Sequence, residues 1–108
     1  MATRPEPAKL LRLHFDEHDR CQGKPLYEAV VATCRDLGIA GATVFRGLEG
    51  FGETAELHRR HLARRDQPIV VTVVDSAENI ARLLPALEAI MGAALMAVSD
   101  VECLRIPR

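Results

Sequence analysis

A cluster of basic residues in the middle of the chain is the first candidate for chemistry. Guanidinium groups form bidentate, charge-assisted hydrogen bonds with phosphates and carboxylates, so the cluster could hold an anionic ligand or contact a partner protein. A solvated loop surface explains it equally well. Nucleic acid is a weaker partner, because none of the four aromatic residues lies within the cluster to stack on bases. The cluster comprises Arg59, Arg60, His61, Arg64 and Arg65.

Four histidines are the next candidates, because imidazole is a frequent ligand of zinc and copper. His58 and His61 stand three residues apart, and His14 and His18 lie near the end of the first predicted strand. Neither pair belongs to a closed Cys/His spacing of the kind that structural zinc sites use. We therefore expect surface or structural histidines and no metal centre, with a transition-metal site as the alternative.

The familiar catalytic motifs are missing from the sequence, which has no nucleophile elbow, no HExxH segment and no Walker loop. Glu49 and Glu53 flank a Gly-Phe-Gly turn and could approach each other, but carboxylates beside a turn are usually solvated. Gly47, Gly50 and Gly52 are explained by a tight turn with positive φ, whose amides could also form an anion nest. We expect no enzymatic activity and no cofactor; a small enzyme of unknown reaction is the alternative.

Length and charge limit the class of protein. With 108 residues, 48% of them hydrophobic, the chain has the size of one domain. Its 14 Lys and Arg residues nearly balance 15 Asp and Glu residues, so no overall field attracts nucleic acid or an anionic membrane. The N-terminus has no apolar signal segment, and no apolar stretch is long enough to span a bilayer. These features predict a cytoplasmic protein without membrane insertion.

The three cysteines are expected to be reduced thiols, because they form no CxxC pair and an odd number does not suit a disulfide framework. Cys34 falls on the apolar face of a predicted helix and Cys103 in a strand-like run, where cysteine acts as a small hydrophobe. Cys21 lies in a polar stretch and is predicted to be the most exposed of the three.

Hydrophobic periodicity divides the chain into alternating strands and amphipathic helices. Asp75 and Glu78 suggest a capping box at the start of the second helix, and Pro85 predicts a kink or a restart near Leu84. The predicted elements are, in order, a strand over 9–15, a helix from Pro25 to Gly38, a strand over 42–48, a polar and basic excursion over 53–66, a strand over 68–75, a helix from Asp75 to Met91 and a strand within 95–106.

This order predicts a single α+β domain of the ferredoxin-like βαβ-βαβ type, in which an antiparallel four-stranded sheet carries two helices on one face. Residues 1–7 are expected to form a flexible N-terminus. The other face of the sheet should be apolar and therefore needs a partner, which a closed homo-oligomer supplies. The residues predicted to load that face are Leu10, Val70, Val74, Leu104 and Ile106.

Three segments carry a resemblance to a known family. GKPLYEAVV, GIAGATVFRGLEGFG and QPIVVTVVDSAENIARLLPALE resemble the bacterial family of domain of unknown function 190 (DUF190), a relative of the PII signalling proteins. The most specific part is residues 41–52, because PII proteins have a similar Gly-x-Thr-Val strand that leads to a Gly-Phe-Gly turn. The resemblance implies a trimer with ligand sites in the clefts between subunits. In PII proteins these clefts hold adenine nucleotides, and the loop between strands two and three contacts a partner protein.

The same resemblance implies roles for particular residues. The chain lacks the phosphate-binding lysine of PII proteins, since no lysine follows Lys24, which leaves arginines as the cations of the site. By similarity, the ligand cleft is lined by Thr43, Arg46, Gly50, Phe51, Gly52, Arg105 and Arg108. The effector loop of PII proteins corresponds to residues 53–66, with His58, Arg59, Arg60, Arg64 and Arg65 as its contact residues.

Partners follow from the family as well. Its frequent association with a fluoride-exporting channel implies a membrane transporter as a client. A metal-binding trimer similar to the cation-tolerance proteins, which share this fold, is the alternative from another functional class.

Overall fold

The computed structural model describes residues 4–49, 67–92 and 94–106. The strands and helices of these residues follow the predicted order, with one short hairpin added. They are β1 (Glu6–Asp16), β2 (Arg20–Cys21), β3 (Lys24–Pro25), α1 (Leu26–Asp36), β4 (Thr43–Arg46), β5 (Pro68–Asp75), α2 (Ala77–Ile90) and β6 (Leu95–Cys103).

Four of the strands form one sheet in the order β4-β5-β1-β6, and every neighbouring pair is antiparallel. The buried residues of α1 and α2 belong to the same hydrophobic cluster as the inward residues of β1 and β5, so both helices cover one face. The predicted α+β fold of ferredoxin-like type is therefore confirmed.

The core lies between this sheet face and the two helices. Alternation along β1 and β5 sends every second side chain to the helices, while helical spacing aligns the apolar residues of α1 and α2. Each such leucine or valine contributes about 1.5–3 kcal/mol when fully buried. The most completely buried side chains are Leu11, Leu13, Val30, Ile69, Val71, Val73, Leu83 and Leu87.

Strand β1 is longer than the 9–15 predicted from its alternation, because the long β6 offers it partners as far as Glu6, which pairs with Cys103. Pro7 is tolerated there because β5 ends at Asp75, opposite Lys9, so β1 has only one neighbouring strand beyond that point. Glu6 and Pro7 thus belong to the sheet rather than to the flexible terminus expected over 1–7.

Helix α2 begins and continues differently from the prediction. Its N-cap is Ser76, whose hydroxyl accepts a hydrogen bond from the Asn79 amide at 3.1 Å; the predicted Asp75–Glu78 capping box does not form. Of the two outcomes expected at Pro85, a kink or a restart near Leu84, the restart does not occur, because one helix runs from Ala77 to Ile90.

The polar stretch after β1 contains a small hairpin that periodicity does not reveal. Gln22 and Gly23 both have positive φ, 51° and 82°, which suits the two-residue turn between β2 and β3. Cys21 is half-buried and packs against the core.

Candidate functional site

One face of the four-stranded sheet has no helix against it; we call it the open face. Residues paired across antiparallel strands share a face, so the strand registers give its composition row by row. The first row is Phe45, Val70, His14 and Leu95; the second is Thr43, Thr72, Arg12 and Ala97; the third is Val74, Leu10 and Ser99.

The open face carries the predicted apolar residues Leu10, Val70 and Val74, but a polar row with Arg12 crosses it, and the residues contributed by the C-terminal segment differ from the prediction. Leu104 and Ile106 follow the end of β6 and are exposed. Val101 and Cys103 take the predicted positions, because they pair with open-face residues of β1. Phe45 and Leu95, which sequence reasoning did not single out, are 53% and 46% exposed on this face.

Hydrogen bonds join the chain segments at the end of the sheet where β4 stops and β5 starts. We call the residues at this end the neck; they are Asp16, Glu17, Arg46, Gly47 and Gln67. The Gly47 amide donates to the carbonyl oxygen of Pro68 at 2.8 Å. The Glu17 amide donates to the Gln67 carbonyl oxygen at 2.8 Å, which ties β1 to the same point. The prediction of a positive φ at Gly47 is wrong. A glycine is needed there for another reason, because a Cβ would meet Pro68 Cγ at 2.8 Å.

A buried carboxylate organises the neck. Asp16 is 4% exposed and accepts hydrogen bonds from the backbone amides of His18 and Gln67, at 2.8 and 2.9 Å. The Nδ1 atom of the His18 ring lies 2.9 Å from the same carboxylate. Asp16 therefore links the turn after β1 to the first residue before β5.

Arg46 forms the outer part of the neck. Its Nε donates to a carboxylate oxygen of Glu17 at 2.7 Å, and this hydrogen bond and the nearby charge raise the pKa of the guanidinium above its ordinary value. Arg46 is paired with Ile69, a core residue, so it lies on the helix side of β4. Thr43 pairs with Thr72 on the open face. A single protomer therefore does not bring Thr43 and Arg46 together.

Arg105 lies at the opposite end of the sheet, where its charge acts on Asp75. Burial works to raise the pKa of the Asp75 carboxyl, but hydrogen bonds from the amides of Ala40 and Ser76 and from the Asn79 side chain, together with Arg105, hold it below its ordinary value. This carboxylate connects the loop after α1 to the start of α2. Arg105 is exposed beside that junction.

The remaining predicted site residues lie outside the described residues. They are Gly50, Phe51, Gly52 and Arg108 of the ligand cleft, and His58, Arg59, Arg60, Arg64 and Arg65 of the effector loop. Their roles stay predictions.

A cavity of about 830 Å³ opens beside α1, away from the open face. It combines an aromatic ring, two cationic side chains and an apolar floor. Of the predicted cleft residues that the structure describes, Thr43, Arg46 and Arg105, none lines it. Its lining includes Tyr27, Lys24, Arg35, Val31, Val44 and Ile90.

Metal-ligating groups do not gather in the described ranges, where no three His, Cys, Asp or Glu side chains are placed to hold an ion. His58 and His61 lie beyond those ranges. Cys34 is buried, as predicted, and burial raises the pKa of its thiol, which makes it a poor nucleophile. Across the same ranges, no helix has the length and apolarity needed to cross a membrane.

Comparison with known proteins places the chain among uncharacterised relatives. The model of the DUF190 family, described as "Uncharacterized ACR", matches residues 8–103. A UPF0166 protein of Aquifex aeolicus (strain VF5) is 38% identical over 98 residues, which cover 87% of this chain and 90% of the relative. A UPF0166 protein of Methanocaldococcus jannaschii is 34% identical over 96 residues, covering 86% of this chain and 88% of the relative.

A solved structure with the same fold carries nucleotides. CPII, a nitrogen regulatory PII-like protein from Thiomonas intermedia K12 bound to ADP, AMP and bicarbonate, matches with a TM-score of 0.67. The match covers 94% of this chain and 99% of that chain at 15% identity. At this identity the likeness establishes the PII-like fold and does not extend to a ligand or a partner.

Proposed function

Because the chain belongs to the DUF190 family and has a PII-like fold, we propose that it is a PII-like signalling protein that assembles as a homotrimer and binds a small anionic ligand between its subunits. An adenine nucleotide is the first candidate ligand. The observation that carries the proposal is the open face, which exposes large apolar side chains and includes Thr43.

Assembly is supported by what the open face exposes. Phe45 is 53% exposed and shares its row with Val70 and Leu95, and Val74 is 38% exposed beside Leu10. A small domain buries a limited fraction of its surface alone, so covering this face with a second copy removes further apolar area from water. In a cyclic homo-oligomer every subunit uses the same surfaces, so the open face of each copy can be covered in the same way.

Ligand binding between subunits is supported by the incomplete site within one protomer. Thr43 and Arg46 lie on opposite faces of β4, and Arg105 lies beside Asp75 at the end of β5. A neighbouring subunit against the open face would enclose Thr43 and add cations of its own. The ADP and AMP held by the CPII structure make adenine nucleotides the natural class to test.

Signalling to a partner would pass through residues 53–66, the predicted effector loop. The neck holds both ends of the segment that contains it, so ligand binding near Thr43 or Arg46 could bias the loop. A membrane transporter remains the proposed client, and free thiols agree with the expected cytoplasmic location. We propose regulation rather than catalysis; a metal-binding trimer and a small enzyme are the alternatives.

Isothermal titration with ADP, AMP and ATP, and separately with Zn²⁺ and Cu²⁺, tests this proposal. We expect saturable nucleotide binding by a trimer that is lost in Arg105→Ala and retained in Arg20→Ala, an exposed arginine of β2. Binding of metal alone, lost in His58→Ala or His61→Ala, would favour the metal-binding alternative. Turnover of a nucleotide that depends on Glu49 would favour the enzyme.

A further inference from the structure

Arg12 stands at the centre of the open face. It is exposed on β1, between Thr72 of β5 and Ala97 of β6, with Thr43 next in the same row. His14 and Leu10 are its neighbours along the strand, two positions away on the same face. Directly opposite side chains in antiparallel strands have Cβ atoms roughly 5 Å apart, so the Thr72 hydroxyl is within reach of a group bound at the guanidinium.

Among the described residues, no carboxylate lies next to Arg12 on the open face. In the described part of the chain no carboxylate forms an ion pair with it. The open-face carboxylates of β1 are Asp16 and Glu6, which at about 3.3 Å per residue lie roughly 13 and 20 Å along the strand. Asp16 is already occupied by amides of His18 and Gln67.

Assembly through the open face would raise the free-energy cost of leaving Arg12 without an ionic partner. A second copy that covers the face removes water from Arg12, and a guanidinium that is desolvated without a partner costs several kcal/mol. The copy presents the same row, so it brings another Arg12 rather than a matching carboxylate from that row. The row itself therefore supplies no anion for Arg12.

The surroundings of Arg12 select the kind of anion. A planar guanidinium matches a carboxylate with two parallel hydrogen bonds, and a threonine hydroxyl can donate a third. Ala97 leaves space on the β6 side of the arginine, while Val70 and Val74 flank Thr72 with apolar groups on the β5 side. A small oxyanion fits this frame better than a bulky polyphosphate.

We infer that the open face carries an anion site in which the Arg12 guanidinium and the Thr72 hydroxyl bind a small carboxylate-type oxyanion, and that this anion stabilises the assembled protein. The inference rests on the proposed trimer, because the site becomes strong only when a second copy excludes water from it. It is distinct from the proposed nucleotide cleft, which depends on Arg105 at the end of the sheet.

The test measures the dissociation constant of the assembled protein by sedimentation in sodium acetate and in sodium chloride at equal ionic strength and pH. We expect acetate to lower that constant at least about tenfold. Arg12→Gln should lose the acetate effect, and the control Arg20→Gln should keep it. Thr72→Glu places a carboxylate opposite Arg12, so this variant should assemble tightly in chloride. Acetate should not change its dissociation constant.

The outcomes separate the two proposals. A wild-type trimer whose dissociation constant is the same in both salts would overturn the anion site and leave the proposed function standing. Loss of assembly in Arg12→Gln without any acetate effect in the wild type would also overturn it, because a carboxylate of a neighbouring copy would then be the partner. A monomer in both salts would overturn the trimer and the anion site together.

Discussion

The Gly47 amide and the Pro68 carbonyl oxygen are joined by a 2.8 Å hydrogen bond, and the Cα of Gly47 lies so close to the proline ring that a methyl group would meet Cγ at 2.8 Å. The end of β4 is thereby held against the start of β5. Since the predicted effector loop lies between these strands, the contact fixes where it leaves and rejoins the sheet.

Gly47→Ala should therefore destabilise the protein by about 1–3 kcal/mol, because the rigid proline ring cannot yield without moving its backbone. Urea unfolding at one protein concentration measures the change. Gly92→Ala is the control, since a Cβ there meets nothing within 4 Å. Equal stability of the two variants would contradict the close approach seen at the neck.

Asp16→Asn tests the buried carboxylate of the neck. An amide presents two N–H donors where the carboxylate accepts from His18 and Gln67, so one buried amide hydrogen loses its acceptor. We expect a loss of about 1–3 kcal/mol in the free energy of unfolding. Asp36→Asn, on the exposed surface of α1, should change it by less than about 0.5 kcal/mol.

Asp75 gives the protein a pH dependence of defined sign. Its pKa is held below the ordinary 3.8 in the folded state, so its stabilising effect is present above that value and is lost as the pH falls through the lower, folded-state pKa. Asp75→Asn should be less stable than wild type near neutral pH and should have a shallower loss of stability below about pH 4. Urea midpoints across the acidic range decide this; parallel curves for both proteins would refute it.

Pro85→Ala should stabilise the protein. The proline is exposed within a continuous helix, removes one backbone donor and crowds the preceding turn, so replacing it should add about 1–3 kcal/mol. Thermal unfolding compared with Glu88→Ala, an exposed position of the same helix, measures the gain. A decrease in stability would mean that the proline ring makes a contact that the helix needs.

Much of the fold could be predicted because it depends on local pattern. Alternation in β1 assigned Leu11 and Leu13 to one face and Arg12 and His14 to the other, and the helices followed from spacing of apolar residues. The hairpin at Gln22 was missed because Gln-Gly is a weaker turn signal than Asn-Gly.

The site was harder to predict because it depends on strand register. Sequence alone cannot tell that Thr72 stands opposite Arg12, or that Val101 rather than Leu104 completes the open face, since both facts arise from pairing between distant segments. The resemblance to PII proteins implies that Thr43 and Arg46 line one ligand cleft, whereas strand alternation places them on opposite faces of β4.

The most direct test of the central claim is the mass in solution of Val74→Glu beside Val98→Glu. Val74 is 38% exposed on the open face, and Val98 is 46% exposed on the helix side of β6, opposite Leu11. We predict a trimer, three times the 11.9 kDa chain, for wild type and Val98→Glu, and dissociation of Val74→Glu. Dissociation of Val98→Glu alone, or a monomeric wild type, would contradict assembly through the open face.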